Sequence, residues 1–484
     1  MRLLQILEPI FLAAMLAFTA GLFVYLYRRN KEKKAVMLSR LFVPCVLFWG
    51  LLYSLVFIPF SAPDEHAHFA SAYKLSSQLM FREPVNDEGQ VLVREKDGVL
   101  LSQELNLDAY DQVYGNFFSM DDSEEEIGYG HAPMDVSLHA YLPQALGITL
   151  GRLLSLGQVL TIYLGRLCNL AFFALCGWLA VRLAPFGKMA FFGAALLPMT
   201  LELVSSLSYD GFAISLGFLC TAYVMHLIYE APRVGKKELA ILGIVLALLA
   251  PCKMVYIPMA LLCFLIPREK FGSRKRFIMS ALAVAACMAV GVLAVNFDKL
   301  SVYLQGTGGP VEWAGGTQGY SFSTVLADPV GTIGILLNTL VRRLPEYIYG
   351  MLGGSLGWLQ YETDGVLVLF LLAWTALTAL PVRTEGEASG ADTAVMPAGH
   401  RAVGLTVCIL TLLATMLVML MSWTPLGSSV VEGVQGRYLL PVLPLALAAF
   451  RSRRLVLERN VDGILLGGYC IVNLLVLQGV VGRM

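Results

Sequence analysis

The sequence has little charge and lacks the short motifs of common cofactor sites. Only 14% of its 484 residues are charged, whereas 57% are hydrophobic. It contains no P-loop and no GxGxxG fingerprint, and it has no basic stretch that predicts nucleic-acid binding. Its nine cysteines form no CxxC pair and lie in or beside apolar segments, so neither a disulfide framework nor a zinc site is predicted. The sequence also lacks an internal repeat.

Long apolar runs occur from end to end, and the mean hydropathy is +0.68. This composition predicts an all-α polytopic membrane protein. Runs of about 20 residues predict crossings near 4–27, 36–59, 160–182, 189–207, 211–229, 276–296, 364–382, 402–421 and 463–480. Three shorter segments bring the expected number to about twelve, and they are 238–250, 252–266 and 437–450.

Basic residues alternate between the connecting loops, which predicts the topology. The loop after the first helix, residues 28–35, is basic and is expected in the cytoplasm, as is every second loop after it. Two long loops, 60–158 and 297–363, then lie outside. The first carries 16 of the 35 acidic residues but only five of the 35 basic ones, as a translocated loop would. We expect a multi-pass membrane protein with an N-terminal helix and basic cytoplasmic turn (1–35) before one transmembrane domain (36–480).

The outer loops contain further apolar segments. Residues 63–80 have the periodicity of an amphipathic helix lying on the membrane surface. Residues 138–156 and 331–348 are interrupted by Pro and Arg. The first is expected to be an interfacial or re-entrant segment, and the second an interfacial helix. The Gly-rich stretch 306–319 is expected to be flexible.

Polar residues at the helix ends map to the outer side and indicate a site there. Asp64 and Glu65 follow an apolar run, where charge usually serves chemistry or transport. The other candidates on this side are His68, Tyr209, Asp210, Lys253, Trp358, Gln435, Arg437 and Tyr438.

Each candidate also has an interpretation that needs no function. Ser61 could cap a helix whose first turn contains Asp64, and Asp210 could be a helix cap. Long cationic and amphipathic side chains can instead anchor a protein at the membrane interface. Anchoring would account for His66, His68, Lys253, Trp358 and Arg437.

Several short motifs follow one another in a recognisable order. They are Pro63-Asp64-Glu65-x-x-His68, Tyr141-Leu142-Pro143-Gln144, Pro198 followed by Ser208-Tyr209-Asp210, Lys253-x-x-Tyr256-x-Pro258, Leu356-Gly357-Trp358 and Gly433-Val434-Gln435-Gly436-Arg437-Tyr438. From about residue 40 to 480 the chain resembles the bacterial membrane family catalogued as domain of unknown function 2142. That family is grouped with the GT-C superfamily of integral-membrane glycosyltransferases.

The resemblance implies a GT-C-like fold in a bacterial cytoplasmic membrane and an inverting sugar transfer on its extracytoplasmic side. The donor would be a polyprenyl-phosphate sugar, and the acceptor an extracytoplasmic cell-envelope polysaccharide or glycolipid. Asp64 would deprotonate the acceptor, and Glu65 would orient the acceptor, a water or a divalent metal, whose requirement stays open. The donor phosphate would bind Arg437, Lys253 and Arg343, because guanidinium groups bind phosphate oxygens bidentately.

Two other functions fit parts of the sequence. A transporter or lipid flippase would also have about twelve crossings, but carriers tend to show repeated halves and binding groups near the bilayer midplane. A polysaccharide polymerase or ligase would use a lipid-linked donor and outer arginines as well.

Overall fold

The computed structural model describes residues 3–31, 37–121, 123, 125–304, 309–382 and 393–483. These ranges form helices α1 Leu3–Lys31, α2 Leu38–Val56, α3 Glu65–Leu79, α4 Leu107–Gly115, α5 Leu142–Leu153, α6 Gln158–Leu183, α7 Lys188–Ala195, α8 Pro198–Val204, α9 Asp210–Tyr229, α10 Lys236–Cys252, α11 Arg274–Leu304, α12 Phe322–Ala327, α13 Pro329–Met351, α14 Gly365–Leu377, α15 Ala398–Trp423, α16 Leu443–Phe450 and α17 Asp462–Val481. The chain is mostly helical, as the sequence predicted, with a few short strands.

Short strands and tighter helices connect these elements. The antiparallel pairs are β1 Leu92–Arg94 with β2 Glu126–Gly128, β3 Pro310–Val311 with β4 Thr317–Gln318, and β5 Ser355–Leu356 with β6 Tyr361–Glu362. The 3₁₀ helices are Glu95–Gly98, Leu138–Tyr141, Met254–Leu265, Arg268–Phe271, Glu312–Ala314 and Gly436–Val442.

In the described ranges, seven helical segments are long and apolar enough to cross a membrane. They are Gln5–Arg29, Leu38–Val56, Gln158–Leu183, Asp210–Tyr229, Arg274–Ala294, Ala398–Trp423 and Asp462–Val481. Three apolar helical segments are shorter: Met254–Leu265, Gly365–Thr378 and Gly436–Phe450. The protein is therefore a membrane protein with several spanning helices.

Two predicted helices take a different form. The single helix expected over 189–207 is two helices, because Leu197 is extended (φ −63°, ψ 138°) before Pro198, as residues preceding proline prefer. The segment 252–266 is a 3₁₀ helix from Met254. Helix α11 kinks at Asn296, just after the candidate span Arg274–Ala294, and its helical residues continue to Leu304. Residues 32–36 of the basic turn and 305–308 of the Gly-rich stretch lie outside the described residues, whereas 310–318 form the β3–β4 hairpin.

The first long loop folds into a compact layer against the membrane helices. Helix α3 is buried along most of its length, so the prediction that it lies on a membrane surface is wrong. Helix α5 packs closely on α6, since a Cβ on Gly147 would lie 2.2 Å from the Leu164 carbonyl oxygen. Small residues permit this backbone contact.

Two helices expose apolar stripes, as the interfacial prediction requires. The exposed residues of α5 are spaced at helical intervals and are Leu142, Leu146, Leu150 and Leu153. Those of α13 follow the same spacing and are Val330, Ile333, Leu337, Val341 and Leu344. Such stripes have the spacing of a face that rests in a bilayer interface.

The basic helix ends lie at the end of the molecule opposite to the two long loops. Arg401 Nε donates to the Ala449 carbonyl oxygen at 2.8 Å, and Arg451 Nε donates to that of Ala394 at 3.0 Å. Lys270 Nζ donates to the Leu227 carbonyl oxygen at 2.7 Å, at the end of α9. His400 Nδ1 lies 2.8 Å from the Tyr229 hydroxyl, so the segments that carry Lys270 and Arg401 lie near one another.

Candidate functional site

The turn between α2 and α3 separates the two adjacent carboxylates. Phe60 and Asp64 both have left-handed backbones, with φ of 71° and 58°. Left-handed non-glycine residues are uncommon, and Asp is among the few that tolerate this conformation. The turn directs Glu65 into the protein core, where it is fully buried, while the Asp64 side chain stays 43% exposed.

Glu65 is enclosed by hydrogen-bond donors. Its Oε1 accepts from Arg166 Nε at 2.8 Å and from the Leu207 backbone N–H at 2.9 Å. Its Oε2 accepts from Arg166 Nη2 at 2.5 Å and from the Phe60 N–H at 2.8 Å. Glu65 therefore fixes the turn and does not face the same site as Asp64.

Asp64 does not cap α3. That helix begins at Glu65, the Asp64 side chain makes no capping hydrogen bond, and Ser61 Oγ donates instead to the Ile58 carbonyl oxygen at 2.7 Å. The interpretation of Ser61 as the helix cap is wrong. The Asp64 carboxylate instead lies 3.7 Å from Arg437 Nη2.

Asp210 lies between two cations at the start of α9. Its Oδ1 is 2.5 Å from Lys253 Nζ, and its Oδ2 is 3.4 Å from Arg437 Nε. Its side chain makes no helix cap, so the capping interpretation is wrong here as well. The preceding turn is fixed by Gln144 Nε2, which donates to the Ser208 carbonyl oxygen at 3.0 Å.

The two cations enter from separate segments and are not exposed anchors. Lys253 lies between the end of α10 and the following 3₁₀ helix, and its side chain is 14% exposed. Arg437 opens the 3₁₀ helix Gly436–Val442 and is 8% exposed. A Cβ on Gly436 would lie 1.9 Å from the Tyr347 carbonyl oxygen, so glycine is needed to place Arg437 against α13. Snorkelling to lipid phosphates does not describe either side chain.

Aromatic rings line the site. Lys253 Nζ lies 4.0 Å from the Tyr438 ring centroid and 4.7 Å from that of Tyr209, both within cation–π range. His68 shares a hydrogen bond of 2.7 Å with the Tyr141 hydroxyl, and its ring meets Tyr209 edge-on at 5.7 Å. Burial lowers the pKa of His68 to about 3. At neutral pH its imidazole is therefore uncharged, and it lines the site as a hydrogen-bonding group rather than as an interfacial cation.

Three other predicted site residues lie apart from Asp64, Asp210, Lys253 and Arg437. Arg343 is 38% exposed and pairs with Glu346 at 2.8 Å. Trp358 is 40% exposed in the turn between β5 and β6, where the N–H of Gly357 donates to Glu202 Oε1 at 2.7 Å. Gln435 is exposed before the 3₁₀ helix that carries Arg437.

Sequence reasoning missed three residues that shape the site: Arg166, Tyr141 and Glu202. Arg166 had a usable signal, because an arginine inside an apolar run is a functional or structural marker by default. Tyr141 belongs to the motif Tyr141-Leu142-Pro143-Gln144 but was not assigned to the site. Glu202, buried in α8, carried the same signal, because it is a carboxylate inside the apolar run predicted as the crossing 189–207.

The cluster of Asp64, Asp210, Lys253 and Arg437 has no net formal charge, and its parts differ in exposure. Asp210 aligns the two cations, whereas Asp64 reaches solvent at the edge. None of the described residues accepts a hydrogen bond from Arg437 Nε. That nitrogen faces Asp210 Oδ2 at 3.4 Å. A pair of cations beside an exposed carboxylate can bind an anion and accept a proton next to it. Within the described part of the chain, no group of three or more His, Cys, Asp or Glu side chains could hold a metal ion.

Comparison with known proteins gives one match. The sequence model of the family described as predicted membrane protein DUF2142 matches residues 47–446, which is most of the chain and includes all four members of the charged cluster. No curated protein and no solved structure matches the chain. The protein therefore belongs to the predicted membrane protein family DUF2142.

Proposed function

We propose that the protein is a GT-C-type membrane glycosyltransferase that moves a sugar from a polyprenyl-phosphate donor to an extracytoplasmic envelope glycan or glycolipid. The observation that carries the proposal is the convergence of Asp64, Asp210, Lys253 and Arg437, from four separate segments, within ion-pair distances. Two cations and an exposed carboxylate are the groups that an inverting transfer from a phosphate leaving group needs.

The chemistry assigns each group one task. The acceptor hydroxyl oxygen attacks the anomeric carbon while the bond from that carbon to the phosphate oxygen breaks, and its electron pair passes to the phosphate. Asp64 takes the hydroxyl proton. Arg437 and Lys253 stabilise the charge that develops on the phosphate. Asp210 keeps both cations aligned before the donor binds.

The topology belongs to the same proposal. The seven long spans, the three shorter apolar segments, α10 and the broken pair α7–α8 together give twelve crossings. The charged cluster lies at helix ends remote from the basic loops, which the positive-inside rule assigns to the cytoplasm. The site then lies on the extracytoplasmic side of a bacterial cytoplasmic membrane. A transporter would instead place its binding groups near the middle of the spans.

The test uses purified protein and polyprenyl-phosphate-linked hexose and pentose donors, with release of polyprenyl phosphate as the readout. Arg437→Lys should lose turnover although it keeps the charge, because a point charge replaces a two-pronged donor. A loss of about 2–4 kcal/mol of transition-state stabilisation corresponds to roughly 30- to 1,000-fold. Arg343→Lys is the matched control, since that arginine is exposed and has its own partner.

The assignment of the base is tested in the same assay. Asp64→Asn should lose about 10²-fold or more in transfer while remaining folded, because Asn also tolerates a left-handed backbone but takes no proton. Asp87→Asn, in an exposed turn of the same outer segment, should change nothing. Normal turnover by Arg437→Ala or Asp64→Asn would remove that residue from the mechanism. Movement of intact donor across vesicles without release of polyprenyl phosphate would favour the transporter.

A further inference from the structure

An apolar groove opens on the side of the helical bundle, between α10, the 3₁₀ helix Met254–Leu265 and α11. Its volume is about 410 Å³, within the range of roughly 300–1,000 Å³ that is typical of ligand pockets. Leu242, Leu261, Phe264, Val284 and Met288 are among the side chains that line it. Every lining side chain except that of Ser280 is apolar or a cysteine. The groove therefore suits a hydrocarbon chain.

Positive charge surrounds one end of this groove. The lining residues Phe271 and Phe277 lie at that end, and the Arg268 guanidinium carbon is 5.5 Å from the Phe277 ring centroid. The exposed basic residues there are Lys236, Lys237, Arg268, Arg274, Lys275 and Arg276. The acidic residues of the same stretch are fewer. Glu238 is engaged by the Gly235 N–H at 2.9 Å, and Glu269 is exposed.

The groove belongs to the least enclosed part of the bundle. Only 6% of the apolar window of α11 is buried, against 89% for α9. A face this open on a spanning helix contacts lipid, so acyl chains are available at the groove at bilayer concentration. An apolar groove does not distinguish one lipid from another, whereas a basic rim selects anionic head groups.

We propose that this groove binds an acyl chain of an anionic phospholipid, whose phosphate lies against the basic rim at Arg268, Arg274 and Lys275. The site is distinct from the proposed donor site. Its basic rim lies at the Lys236 end of α10, whereas Lys253 follows the other end of that helix, roughly 25 Å away at the rise of an α-helix. The apolar groove extends from the rim as far as Ile257 and Pro258. The lipid would fasten the poorly enclosed α11 to the bundle.

The experiment measures lipid retention on the full-length protein. The delipidated protein is incubated in detergent with phosphatidylglycerol or phosphatidylcholine of identical acyl chains, and native mass spectrometry counts the lipids that stay bound. Ala281→Trp fills the groove, and Ala286→Trp is its control, because Ala286 is exposed on the same helix but does not line the groove. Ala285→Phe fills the groove less severely and serves if Ala281→Trp does not fold.

The rim is tested separately. Arg274→Gln with Lys275→Gln removes two rim charges, and Arg453→Gln with Arg454→Gln removes two exposed charges elsewhere. We expect phosphatidylglycerol to be retained over phosphatidylcholine and its retention to fall about tenfold or more in the rim variant, since each basic residue near an anionic head group contributes roughly fivefold. The groove-filling variants should lose it, and both controls should keep it.

Three results would overturn the proposal. The first is equal retention of the two lipids, which would leave the basic rim without a role. The second is undiminished phosphatidylglycerol on both groove-filling variants. The third is one-for-one displacement of phosphatidylglycerol by polyprenyl phosphate at low concentration, which would assign the groove to an isoprenoid tail instead.

Discussion

Replacing Glu65 by Gln should destabilise the protein severely without acting on the chemistry. Arg166 donates to both Glu65 oxygens, and it donates to the carbonyl oxygens of Ser54, Phe57 and Ile58 at 3.1, 2.5 and 2.9 Å. All five guanidinium N–H groups are thereby used. Both side chains of the ion pair are almost fully buried, at 1% and 0% exposure. The pair therefore closes the end of α2 onto the turn that carries Asp64.

The size of the effect follows from what Gln would leave behind. The Arg166 charge would lose its counter-charge inside the protein, and one carboxylate oxygen would become an N–H group facing other donors. Removing one partner of a buried ion pair costs about 3–5 kcal/mol. We expect Glu65→Gln to lower the free energy of unfolding by this amount, measured by denaturant titration of purified protein in detergent. Glu88→Gln, which changes an exposed carboxylate of the same outer segment, should lower it by less than about 0.5 kcal/mol.

Turnover per folded molecule separates the two possible roles of Glu65. If Glu65 fixes the turn, the folded fraction of Glu65→Gln should transfer sugar at nearly the normal rate, and Arg166→Met should behave alike. The reasoning fails if Glu65→Gln unfolds at the same denaturant concentration as the parent protein but turns over 100-fold more slowly. That outcome would return Glu65 to the reaction as an acceptor-orienting group.

Further predictions test the cluster, its support and its orientation. Asp210→Asn should weaken binding of polyprenyl phosphate, measured by titration, because Lys253 and Arg437 lose the carboxylate that aligns them; unchanged affinity would contradict that role. Burial holds the pKa of His68 at about 3, below the 6.5 of a free histidine, so the unfolded chain binds the proton first as pH falls. Through this group, the free energy of unfolding should therefore drop by about 2 kcal/mol between pH 6.5 and 5. His68→Gln should remove that part of the pH dependence. If the variant unfolds with the same pH dependence as the parent protein, this role of His68 is refuted. Gly436→Ala should cost about 1–3 kcal/mol by collision with the Tyr347 carbonyl, whereas Gly399→Ala, with no atom within 4 Å of its added Cβ, should be neutral in the same unfolding assay. Single cysteines at positions 88 and 275, on a background without the nine native ones, should be labelled from opposite sides of the membrane, and labelling from the same side would overturn the topology.

The sequence was sufficient to predict which segments are apolar helices and which ends carry positive charge. Both depend on composition over windows of about 20 residues, which averages out local detail. The break at Leu197 was not predicted, because the apolar run continues through it and only Pro198 marks the change of direction. The 3₁₀ winding of 254–265 likewise leaves no trace in hydropathy.

The sequence was sufficient to predict which charged residues lie at the helix ends of the site. It was not sufficient to predict the directions of their side chains. Asp64, Asp210, Lys253 and Arg437 were all identified, and the structure brings them together. Glu65 was grouped with Asp64 because the two are adjacent. Neighbouring side chains point in different directions in any regular backbone, and the left-handed backbone of Asp64 forms part of the turn that separates these two. A sequence does not reveal that φ is positive at an Asp.

The ion pair of Glu65 and Arg166 also bears on how the protein is inserted into a membrane. An arginine at the centre of a spanning helix costs about 2.5–3.5 kcal/mol during insertion. Glu65 is synthesised 101 residues before Arg166, so its carboxylate and the turn that holds it are already made when α6 emerges. Helix α6 can then enter the bilayer with its Arg166 side chain paired to the Glu65 carboxylate. A truncated chain that lacks the Asp64–Glu65 turn should consequently leave α6 poorly inserted, even though the helix itself is unchanged.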